Sequence, residues 1–227
     1  MGNAFQTGRI RLFAVLLALL LSVPEALAQI PYYAPTVGDG HLYGYTSLKI
    51  HPGLNRQITY STLQYGLSDA FAVGADLYTC TDDSSFIGAC VRYGKMMSPW
   101  FSVGGQFTSS FDLDNRMRYS YSQLGIFMNG QITRNGRLFW AGNTFWSINR
   151  DDADYLEQYA YLGYSIPFNN GMQLTPMAGI IFPWTFDYSA EAVLGAYFTV
   201  KNWSFYLWAS QLNFDNPRLV FGFEFVI

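Results

Sequence analysis

After residue 28 this sequence has no apolar run of about 18 residues, the least that a membrane-spanning helix needs. Charge is scarce as well. Asp, Glu, Lys and Arg make up 13% of the 227 residues, against a usual share of roughly 25%. There are only two cysteines, Cys80 and Cys90, and two histidines, His41 and His51. These shortages exclude several function classes. With no basic excess, there is no electrostatic footprint for nucleic acid. The two cysteines and two histidines give no zinc spacing, and no glycine pattern marks a nucleotide site. No cofactor and no metal site is expected.

Aromatic residues are what the chain has in plenty: 17 Tyr and 19 Phe, with aromatics at 19% overall. Few charges and many aromatics suit a protein whose outer surface does not meet water. With no helical span available, one architecture can still cross a bilayer. It is the closed β-barrel, in which every backbone N–H and C=O is paired between strands.

Residues 1–28 read as a cleaved signal peptide. Arg9 and Arg11 supply the positive n-region, "LFAVLLALLLSV" (12–23) the apolar core, and Ala26–Ala28 the small residues before cleavage at Gln29. An uncleaved amphipathic anchor is the other reading. Removing Arg9, Arg11 and Glu25 from 13 basic and 16 acidic residues leaves 11 against 15, a formal charge of −4. Residues 29–40, "QIPYYAPTVGDG", are Pro/Gly-rich and expected to be irregular. Residues 41–227 are expected to form the barrel.

That stretch divides into segments of alternating character. The expected fold is all-β: a transmembrane antiparallel up-and-down β-barrel of about 12 strands. The strands are expected at 41–51, 56–67, 70–80, 85–95, 99–111, 116–130, 137–149, 154–167, 171–185, 190–200, 203–213 and 217–227. Most reach the length of about 9–11 residues that a tilted transmembrane strand needs. An even count puts both chain ends on one side, the periplasmic one. The connections alternate in kind. "LSDA", "KMMSP", "TRNGR", "PFNNG" and "VKN" are assigned to the periplasmic side. The more acidic set, from "HPGLNR" to "NFDNPR", is assigned outward.

Period-two alternation then gives two faces. In 70–80, Phe71, Val73, Ala75 and Leu77 share one face, and Gly74, Asp76, Tyr78 and Cys80 the other. In the last segment Leu219, Phe221, Phe223, Phe225 and Ile227 oppose Arg218, Gly222 and Glu224. A water-soluble sandwich also alternates, but its polar face would be rich in Lys and Glu. Here the polar face is Gly, Ser, Thr, Gln and Tyr with scattered charges, which suits an enclosed lumen.

The end of the chain, "GFEFVI" (222–227), places Phe225 and Ile227 at alternate positions after Gly222. It resembles the C-terminal signal of bacterial outer-membrane β-barrel proteins. Ile227 stands where a terminal aromatic is commoner, and Val220 where a polar residue is usual. The hairpin "YGLSDAFAVGADL" looks like a periplasmic hairpin of the same class. The resemblance implies a place in the bacterial cell outer membrane among its lipids and lipopolysaccharide. It also implies recognition by the barrel-assembly machinery through Gly222, Phe225 and Ile227.

Chemistry, if any, is expected inside. Alternation assigns Lys49, Asp76, Arg92, Glu157, Glu191, Lys201, Arg218 and Glu224 to the interior. Ionisable groups inside a membrane protein face a cavity or pair with one another. The first reading is a small passive pore for hydrophilic solutes. The second is a non-conducting structural or surface-interaction barrel with its charges paired across a filled lumen. Inward tyrosines at 43, 45, 78, 159, 161, 197 and 206 read as a sugar- or aromatic-binding channel or as lumen packing. Cys80 and Cys90 bracket an outward loop, and either a disulfide or two free thiols fits. If the two cysteines face each other, Asp76 and Arg92 become diagonal neighbours. Acidic loop residues Asp82, Asp83, Asp112, Asp114, Asp151, Asp152 and Asp154 read as cation holders beside lipid phosphates or as ordinary solvated tips.

A lipid-modifying enzyme is the third reading. His51 is the one obvious general base, but Ser47 lies four residues away, roughly 13 Å along a strand. A base must lie within hydrogen-bond reach of its nucleophile, so no catalytic residue is assigned.

Overall fold

Alternation sustained over ten or more residues leaves each segment with one apolar and one polar face, and a sheet is the structure that separates them. The computed structural model describes residues 36–81, 84–98, 100–150, 154–183, 189–212 and 217–227. It contains β1 Leu42–His51, β2 Arg56–Gly66, β3 Phe71–Cys80, β4 Phe86–Ser98, β5 Phe101–Asp112 and β6 Arg118–Gln131. They are followed by β7 Leu138–Asn149, β8 Tyr155–Tyr164, β9 Ile166–Pro167 and β10 Met172–Pro183. The last are β11 Glu191–Val200, β12 Trp203–Ser210 and β13 Arg218–Val226. All belong to one antiparallel sheet.

The sheet closes on itself. β1 pairs with β13 from Tyr43↔Val226 to Ile50↔Leu219. Leu42 N–H donates to Ile227 O at 2.7 Å, and Ile227 N–H to Leu42 O at 2.9 Å. Both ends of the wall therefore meet at one end of the barrel. β9 continues β8 past Ser165, so the wall has twelve strands. The β8–β10 ladder stops at Met177↔Gly163, and β9 resumes it at Leu174↔Ile166. Pro176, which has no N–H to give a ladder, sits in the gap.

Short turns at the end shared by the termini set the register. Between β2 and β3 the Ser68 hydroxyl accepts from Ala70 N–H at 3.3 Å and Phe71 N–H at 3.1 Å. Between β6 and β7 Asn135 and Gly136 make the bend, with Gly136 at φ +67°. Lys201 and Asn202 alone link β11 to β12. At the opposite end Asp112 Oδ1 accepts from the backbone of Asp114 and Asn115, capping the β5–β6 turn. One connection departs from expectation. β4 runs on to Ser98 instead of ending at 95, and most of "KMMSP" is strand, with a register shift between Met96 and Ser98.

The signal peptide expected at 1–28, residues 29–35, and Asp82, Asp83, Asp151 and Asp152 lie outside the described residues.

The outward face is an apolar belt that includes Leu63, Phe107, Leu162, Leu194, Leu207 and Phe221, with Leu194 55% exposed. A water-soluble protein does not leave so large a contiguous apolar surface uncovered. Polar groups on this face satisfy each other: Thr46 and Ser61 hydroxyls meet at 2.5 Å. No helix among the described residues is long and apolar enough to cross a membrane. Among the described residues, the strands are the elements that could.

Candidate functional site

The inward face carries the polar set that alternation marked out. Asp76, Arg92, Glu191 and Glu224 are buried, and Lys49, Glu157 and Arg218 are partly so. Lys201 is a correction. Strand alternation ends at Val200, and Lys201 occupies the two-residue turn at φ +55°, off the lumen wall.

The register overturns the expected cysteine pairing. Cys90 lies opposite Gly74, and Cys80 opposite Ile58 on the other neighbour of β3. Six positions of β3 separate Gly74 from Cys80, roughly 20 Å, and no disulfide joins the two cysteines. The Asp76–Arg92 neighbourhood falls with it. Asp76 faces Gly88, whereas Arg92 faces Ala72, four positions further along both strands. Asp76 instead accepts from the Thr108 hydroxyl at 3.1 Å, the Gln106 amide at 3.4 Å and the Cys90 thiol at 3.7 Å. The Arg92 guanidinium lies 4.5 Å over the Phe127 ring, a cation–π contact.

The other inward acids are also engaged by protein. Glu191 accepts from Arg218 at 2.9 and 3.1 Å and from the Gln211 amide at 3.0 Å. The Glu157 carboxylate accepts from Tyr155 at 3.2 Å and from the Tyr159 hydroxyl. Glu224 accepts from the Tyr43 hydroxyl at 3.4 Å.

Side chains fill much of the lumen. Each of the twelve wall strands contributes an inward residue no more than 8% exposed. Long side chains meet across the interior because small residues stand between them. The Gln64 amide on β2 donates to Gln106 Oε1 on β5 at 2.9 Å, although those strands are roughly 14 Å apart along the wall. Tyr161 on β8 reaches Trp208 on β12, with ring centroids 5.4 Å apart. The strands between them carry inward Gly179 and Gly195. A Cβ on Gly179 would lie 2.4 Å from Tyr161 Cδ1. Tyr45 on β1 stacks on Tyr206 on β12 at 5.7 Å, and Gly222 on the strand between them makes room.

The inward tyrosines therefore divide. Tyr161, Tyr197 and Tyr206 belong to the packed cluster. Tyr45, Tyr78 and Tyr159 line a cavity of about 540 Å³, and Tyr43 borders it, 2% exposed. On β1 and β2 the cavity reaches from Tyr43 and Gln64, near the chain-end rim, to Lys49 and Ile58 near the other rim. Its walls include Lys49, Tyr60, Tyr121, Tyr155 and Arg218, together with Gln64, Arg92, Phe127 and Trp208. Alternation marks most of these as inward, though on β6, where aromatics stand on both faces, it does not set the direction of Tyr121 and Phe127. It could not show which ones meet and which leave space.

The histidines do not build a catalytic pair with Ser47. His51 ends β1 opposite Arg56, Ser47 is 2% exposed four positions below it, and His41 Nδ1 bonds to Asp39 O at 2.8 Å.

No protein-family model matches the chain, and no curated protein does. Solved structures do match. One is the KdgM porin in complex with disordered oligogalacturonate, at 10% identity and a TM-score of 0.58, covering 82% of this chain and 98% of that one. Another is the NanC porin, at 10% identity and a TM-score of 0.54, covering 81% and 98%. At such identity the likeness is one of fold. A closed wall that leaves no backbone group unpaired, wrapped in an apolar belt, can lie in hydrocarbon without a helix, and the matching folds come from the bacterial outer membrane. The chain accordingly has the fold of a bacterial outer-membrane β-barrel, with twelve strands in its wall among the described residues.

Proposed function

We propose that this barrel is a solute vestibule that is closed at rest: it takes a small solute into the lumen and does not form a standing aqueous pore. The observation that carries this reading is the filling of much of the lumen by side chains. Every wall strand supplies a buried inward residue, and Gln64–Gln106 and Tyr161–Trp208 span the interior. The cavity of about 540 Å³ beside them falls within the range of roughly 300–1,000 Å³ typical of small-molecule sites. A second reading, a continuously open channel, draws on the structural likeness to the KdgM and NanC porins. Planar-bilayer recording separates the two. The purified barrel inserted in a lipid bilayer is expected to give no steady single-channel current. A stable ohmic conductance from the unmodified protein would sink the closed-vestibule reading.

A further inference from the structure

The cavity described above has a charge that the protein leaves unused. Lys49 lines it, yet its ammonium makes no hydrogen bond and no ion pair among the described residues. The charged groups acting on it are Arg218, Glu157, Glu191 and Arg56. Both acids already have partners: Glu191 holds Arg218 at 2.9 Å, and Glu157 is held by two tyrosine hydroxyls. Arg56 Nε donates to Cys80 Sγ at 3.3 Å. Three cations against two anions leave this part of the inner wall with one excess positive charge, and the side chain without a partner is Lys49.

Beside Lys49 the neighbouring strands carry an apolar patch, while Tyr60, Tyr155, Glu157 and Arg218 line other parts of the same cavity. The cross-strand neighbours of Lys49 on the inner face are Ile58 and Val220, both on the cavity wall. Phe86 lies beyond, 5.8 Å from the Tyr78 ring and 5.6 Å edge-on to Tyr121. Any ligand hydroxyl turned toward Ile58, Val220 and Phe86 would stay unpaired there, at a cost for each group. A flat apolar ring would lose nothing there, and its single negative group would meet the free ammonium.

We infer that the vestibule binds a small aromatic monocarboxylate, with its carboxylate on Lys49 and its ring among Ile58, Phe86 and Tyr78. This inference rests on the vestibule reading for its site. It adds the class of ligand.

Calorimetric titration of the refolded barrel in detergent micelles tests it, with benzoate as the probe. Benzyl alcohol supplies the same ring without charge, and galacturonate the same charge on a polyol. Benzoate is expected to bind about tenfold or more tightly than either. Lys49→Met should weaken benzoate by about tenfold and leave benzyl alcohol unchanged. Ile58→Asp places a carboxylate across from Lys49 and should abolish benzoate binding even where Lys49→Met proves hard to refold. Galacturonate binding as tightly as benzoate, or benzoate affinity untouched by both variants, would overturn the site. The two readings fail separately. A silent barrel that ignores benzoate removes the ligand site alone. A conducting barrel that binds benzoate through Lys49 supports the site and removes the closed vestibule.

Discussion

At the scale of single residues, the interior depends on where side chains are missing. Gly222 is inward on β13, and a Cβ there would lie 2.2 Å from Tyr206 Oη and 2.3 Å from the backbone Thr46 O. The tyrosine could turn away, but the carbonyl belongs to the β1 ladder and cannot. Gly222→Ala is therefore expected to destabilise the barrel by about 1–3 kcal/mol, as overpacking does. Urea unfolding in lipid vesicles measures this, and an unchanged midpoint would show that the wall gives way. Asp76 teaches a related lesson. Its inward direction follows from period two alone. Its partners, Thr108 and Gln106, stand on β5, two strands away, and no local pattern links them to it.

At the scale of the strand, alternation carries most of the information. Strand boundaries from sequence and structure agree within a few residues over most of the wall. The main departure is β4, where Lys95, Met96 and Met97 continue the strand to Ser98. Met-rich turns carry no Gly or Asn signal, so the end of this strand is not legible locally. Which face meets lipid is directly testable. Leu207 on β12 points outward and is 50% exposed. Leu207→Arg is expected to cost about 2–4 kcal/mol if it sits near the bilayer midplane, since a charge there loses its hydration. Urea titration in vesicles reads the cost. A neutral effect would contradict a lipid-facing belt.

At the scale of the whole molecule, the closed cylinder makes contacts that no hairpin contains. Gln64–Gln106 and Tyr161–Trp208 join strands that are not neighbours, and together they help fill the lumen. The double variant Gln64→Ala, Trp208→Ala removes one partner from each. It is expected to turn a silent barrel into one that passes steady current in planar bilayers. Continued silence would mean that the remaining buried ring suffices to close it.

By itself the sequence determined the barrel, its approximate strands and the inner or outer direction of side chains where alternation is clean, which it is not on β6 and β7, with aromatics on both faces. The reason is physical: in a sheet with lipid on one face, period two is the only pattern that keeps charge out of hydrocarbon. Lys201 escaped because direction has that meaning only within a strand. The tertiary structure alone decided register and closure. Register separated Cys80 from Cys90 and Asp76 from Arg92, since a shift by an even number of residues along a strand preserves the faces while changing every opposite pair. Closure decided which inward side chains meet across the lumen, leaving Lys49 facing an open cavity and Tyr197 sealed.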